Sequence, residues 1–201
     1  MKSDVIHVNS DGSGRTEVLD QVERVAAFKN LDRKNTLHLR LLAEEMMGML
    51  SSITSEVEAD FWIEGNEGDF SLHLVTETVM HSEKREKLLS VSSSGSNAAA
   101  KGVMGKIRDI FTRAFEPMDG SFMSSYAAQN AMYYDMGMGG STNLAMQMWS
   151  LNQYKEELEK NDRQESEEWD ELEKSIVANI ADEVEVYIRE GEVEMVIYKR
   201  F

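Results

Sequence analysis

Apolar positions recur along this chain at two different periods. Between residues 15 and 29, Val18, Val22 and Val25 stand at helical spacing with charges between them, which predicts an amphipathic helix. A second helix is predicted from about Arg33 to Ile53. There Leu39, Leu42, Met46, Met49, Leu50 and Ile53 form one apolar stripe, which needs a buried surface opposite it. The period then shortens. Residues 59–64 and 70–76 carry β-branched and aromatic side chains in partial alternation around Gly65-Asn66-Glu67-Gly68-Asp69, the pattern of a β-hairpin. Asp4–Val8 reads as an edge strand closed by the turn Asp11-Gly12-Ser13-Gly14. At the far end, Glu183–Arg189 and Val193–Lys199 alternate about Glu190-Gly191-Glu192, a second hairpin.

Between the hairpins, a charged segment, His81–Lys87, leads through a small-residue loop into a helix predicted over 103–115, ended by Pro117 and Gly120. Residues 118–182 read as an insertion. Its first part is rich in methionine and tyrosine (Met118, Met123, Tyr126, Met132, Tyr133, Tyr134, Met136, Met138), which suits a cap on the core, a partner-binding groove or a movable pocket cover. Beyond it, Leu144, Met148, Leu151 and Leu158 give one helical stripe. Trp169, Leu172, Ile176 and Ile180 give another, so an antiparallel helical hairpin is expected. The order of elements predicts an α+β two-layer sandwich, a mixed and mostly antiparallel sheet with helices on one face, plus the helical insertion. Residues 1–117 and 183–201 would form the main domain, interrupted by 118–182.

Composition narrows the chemistry. A 201-residue chain with 41% hydrophobic residues can bury a core. With no cysteine, disulfides, thiolate metal sites and cysteine nucleophiles are excluded, and no Ser/His/Asp or His/carboxylate set has telling spacing, so no metal ligands are assigned. No segment is apolar enough to span a membrane and the start is not a signal peptide, so a cytoplasmic protein is expected. The 21 basic and 37 acidic residues give a net charge of −16, which disfavours nucleic acid and anionic lipid as partners. Much of the excess lies between Glu156 and Glu173, the pattern of a solvated helix face or a docking surface for a basic partner.

The stretch Ser92-Ser93-Ser94-Gly95-Ser96-Asn97-Ala98-Ala99-Ala100-Lys101-Gly102-Val103-Met104-Gly105-Lys106-Ile107-Arg108 runs from a small-residue loop into a helix start. Free N–H groups and the positive end of the helix dipole at such a start suit an anion such as phosphate. Together with Leu41-Leu42-Ala43-Glu44-Glu45-Met46-Met47-Gly48-Met49-Leu50 and the hairpin after it, this stretch resembles a divergent GHKL ATPase domain, the superfamily of sensor histidine kinases and anti-sigma-factor serine kinases. The resemblance spans most of residues 15–115 and the final hairpin.

The resemblance implies a nucleotide-binding regulatory domain taking ATP or ADP, with weak or no catalysis. Glu45 matches the family's catalytic glutamate, while Met49 stands where the family places a magnesium-binding asparagine. A thioether is a poor ligand for a hard cation, which counts against magnesium held by that route. Glu77 is the nearest equivalent of the adenine-binding aspartate. Gly95, Lys101, Gly102, Gly105 and Lys106 would line the phosphates. Each residue also has a plain structural reading: Glu44 and Glu45 as a polar helix flank, Glu77 as an exposed strand-end acid, Gly102 and Gly105 as close-packing positions, the lysines as surface charges. A scaffold that kept this fold and lost the nucleotide, binding a protein partner through 118–182, is the alternative. A second copy of the chain is the other partner left open, and His38 or His81 a phosphoacceptor.

Overall fold

A computed structural model of the chain describes residues 1–53, 56–77, 102–114, 147–160, 167–189 and 192–201. Six strands form one sheet, antiparallel throughout: β1 (Ile6–Asn9), β2 (Glu58–Asn66), β3 (Asp69–Glu77), β4 (Gln147–Ser150), β5 (Glu183–Arg189) and β6 (Glu192–Arg200), in the spatial order β1-β2-β3-β6-β5-β4. The helices are α1 (Arg15–Phe28), α2 (Arg33–Ser51), α3 (Gly102–Ala114), α4 (Leu151–Lys160), α5 (Glu167–Lys174) and α6 (Ile176–Ile180). This is the α+β architecture expected. None of these helices is long and apolar enough to cross a membrane.

Strand alternation divides the sheet into two faces. Register aligns Phe61 with Leu74, Leu74 with Met195 and Met195 with Val186. Ile63, Leu72, Ile197 and Val184 form the next row, and all eight are buried. They join Val18, Val22 and Val25 of α1, Leu39, Leu42, Met46 and Leu50 of α2, and Val103, Ile107 and Phe111 of α3 in one core. Helix α2 is the centre of the helical layer, packing on α1, α3 and α6. Its stripe lies as the sequence predicts, and Asp32 caps its start by accepting from the Asn35 N–H at 2.7 Å.

Two turns fix how the chain enters these elements. In the β2–β3 turn, Glu67 and Gly68 both have positive φ (47° and 94°), the two-residue geometry whose twist matches a hairpin. At the start of α1, Gly14 has φ 81°, and an added Cβ would lie 2.4 Å from the His7 carbonyl oxygen, so a side chain there meets both strain and backbone.

The stripe Leu144, Met148, Leu151, Leu158 does not form one helix. Gln147–Ser150 is instead strand β4, paired with β5 from Gln147↔Ile188 to Ser150↔Glu185, and helix begins only at Leu151. Pairing with the open edge of β5 satisfies backbone groups that a helix would otherwise have satisfied internally, and local periodicity cannot sense that edge. Residues 147–180 therefore supply an edge strand as well as helices, joined to the same sheet and core.

Candidate functional site

Glu45 and Met49 stand one turn apart on α2. Met49 is 3% exposed, within the core. Glu45 is half-buried on the flank of the helix, and burial, then the neighbouring Glu44 charge, raises its carboxyl above the ordinary glutamate value. Glu44 is tied to Arg40 at 3.0 Å, and Arg40 also pairs with Glu23. Glu45 itself has no hydrogen bond or ion pair among the described residues.

At the end of β3 the alternation separates two neighbours. Glu77 is exposed and follows His73 and Val75 on the face away from the helices, in register with Glu192. Thr76 is 1% exposed on the helix-covered face, between Ala59 and Val193 of the adjoining strands. Its Oγ1 has no hydrogen-bond partner. Three polar residues are buried in the described structure. Gln21 donates to Ser3 Oγ and the Asp4 carbonyl, both at 2.8 Å, and Ser150 donates to Glu183 at 3.2 Å. Thr76 alone of the three is unsatisfied, a cost of about 1–3 kcal/mol unless a ligand supplies the partner. One other buried side-chain oxygen lacks a partner, Asn9 Oδ1 at the end of β1.

Helix α3 begins at Gly102 and carries Gly105 buried a turn later. Lys106 lies with its Nζ 4.6 Å from the centre of the Tyr154 ring of α4, a cation–π contact that ties the predicted phosphate lysine to the inserted region. Arg108 is a further cation on this helix. Its side chain is 13% exposed and its partner among the described residues is the adjacent Asp109, at 3.5 Å. Gly95 and Lys101 lie outside the described residues, as does His81.

Helix α2, which carries Glu45, packs on α3, which carries Gly102, Gly105 and Lys106. The fold directs Glu77 to the opposite face of the sheet. Thr76 and Arg108 were not singled out by sequence. The alternation of β3 carried a signal for Thr76, which shares the parity of Leu72 and Leu74. At the position where the resemblance implies a metal ligand stands Met49, a buried thioether, and among the described residues no group of three or more histidine or acidic side chains able to hold an ion occurs. Comparison with known proteins returned no matching family model, no similar curated protein and no similar solved structure.

Proposed function

We propose that this chain is a nucleotide-binding regulatory domain of the GHKL type. It takes ATP or ADP on the helix-covered side of the sheet, between the end of β3 and helices α2 and α3. The observation that carries this reading is the Thr76 hydroxyl, buried and unpartnered one residue before the end of β3. A hydroxyl both donates and accepts, as contact with a purine edge requires. The start of α3 at Gly102, the buried Gly105 and the guanidinium of Arg108 supply a dipole, close backbone approach and a positive charge for phosphate. Glu45 is the candidate general base. Without an oxygen or nitrogen ligand at position 49, turnover is weak or nil, and binding is the activity that remains.

The test is calorimetric titration with ATP and ADP, with and without magnesium, on the wild type and on Gly102→Val. Saturable binding that ignores magnesium and is lost in Gly102→Val is expected. Absence of heat at millimolar nucleotide would refute the reading.

A second reading is favoured by two placements. Glu77 faces away from the helices, and Lys106 is engaged with Tyr154. In that reading the fold is a scaffold that binds a protein partner through the inserted region and holds no nucleotide.

A further inference from the structure

Phe28 and Leu37 are the most exposed large apolar side chains among the described residues, at 72% and 52%. They flank the connection from α1 to α2. Arg24, Arg33 and Lys34 are exposed on the same corner, Lys29 is half-exposed there, and none of the four side chains makes a hydrogen bond or ion pair among the described residues. Several cations elsewhere are engaged, Arg40 with Glu23 and Glu44, Arg200 with Asp69, Lys199 with Asp182 and Lys2 with Glu64, while Arg15 and Lys174 are exposed singly. The acid of the corner, Asp32, is turned onto the first turn of α2 as its cap. In a chain of net charge −16, four cations without an ion pair among the described residues thus gather around two exposed apolar side chains.

The complementary surface occurs on the same chain. Helix α5 carries five acids against one lysine and precedes Ile176, which is 41% exposed; Asp170 and Glu173 are exposed, and Glu173 accepts from Trp169 Nε1 at 2.9 Å. Within one copy, helix α5 packs on α3 and α6, these pack on α2, and α2 packs on α1.

We infer that the α1–α2 corner of one copy docks on α5 and Ile176 of a second copy. Phe28 and Leu37 meet Ile176, and Arg24, Lys29, Arg33 and Lys34 face the α5 carboxylates. Corner against corner would set four cations against four, so the contact joins unlike surfaces. It either propagates head to tail or is made twice about a two-fold axis. A flat anionic membrane would take the cations but offers no counterpart to Ile176 and its acidic rim.

Sedimentation equilibrium of the full chain tests this. The wild type should exceed its 22.8 kDa monomer mass with rising concentration at low salt. The association should weaken as salt goes from about 0.01 to about 0.15 M, where the screening length falls from about 30 to about 8 Å. Phe28→Ser should lower the association constant about tenfold or more. The reversals Arg33→Glu/Lys34→Glu and Asp170→Lys/Glu173→Lys should each leave a folded monomer by circular dichroism, and an equimolar mixture of the two should associate again. A wild type that stays at the monomer mass, association indifferent to both reversals, or a monomer that sediments with phosphatidylserine–phosphatidylcholine vesicles would each overturn the inference.

Discussion

The two faces of the sheet are built from the same strands and treat polar groups in opposite ways. On the open face, polar and aromatic side chains satisfy one another. Trp62 donates to Glu64 at 3.0 Å, stacks on His73 with ring centres 4.8 Å apart, and receives the Lys2 ammonium 4.2 Å from its centre. His73 in turn contacts Glu194 at 3.0 Å and Ser71 at 2.9 Å through its two ring nitrogens. Tyr187 donates to Glu185, and burial, then the Glu185 carboxylate, push the Tyr198 phenol well above its ordinary value. The helix-covered face is nearly all apolar, yet Thr76 on it lacks a partner. A polar group supplied by its neighbours is explained by the fold. One left unsupplied under a helical layer asks for a partner beyond the described residues. The candidate site is therefore placed on the apolar side, although the open side looks the richer in chemistry.

Truncation should show the two faces as energetically unequal. Leu72→Ala removes a fully buried side chain beside Ile63 and Ile197, and should cost about 2–5 kcal/mol in denaturant unfolding. Trp62→Ala on the open face, despite its larger side chain, loses one stacked pair and one exposed cation contact, for roughly 1–2 kcal/mol. Equal losses would mean that the open face is as much a core as the covered one.

A smaller effect sharpens the position of Glu45. Its carboxyl titrates above the unfolded value, so the stability linked to it is fully present below the unfolded value and is lost as pH rises through the folded one. Glu45→Gln should therefore raise the melting temperature slightly at neutral pH. That gain should vanish in acid, below the ordinary glutamate range. A gain that persists in acid would separate the effect from the charge.

Much of this fold was legible in the chain. The stripe of α2 and the alternation of β2, β3, β5 and β6 give their elements directly, because each buries one face against a single layer. Residues 147–150 were misread because Met148 and Leu151 keep helical spacing while the decisive partner, the edge of β5, lies more than thirty residues away in sequence. The candidate site was legible only in part. Glu45 and Gly102 fall on helices in contact, but Glu77 was chosen by chemical type, and the parity of its strand turns it outward. Thr76 drew no notice because a strand threonine is ordinary in sequence. Its significance is an absence of partners, which exists only in three dimensions.

The central claim is that the Thr76 hydroxyl is held for a nucleotide. Thermal unfolding of the wild type and of Thr76→Val, each with and without excess ADP, tests it most directly. Without ligand the valine variant should be equal or more stable, since it removes an unsatisfied buried hydroxyl. With ADP at a hundredfold excess over its dissociation constant, the wild type should gain about 2.7 kcal/mol and the variant clearly less. An equal gain in both proteins, or none in the wild type, would contradict the account.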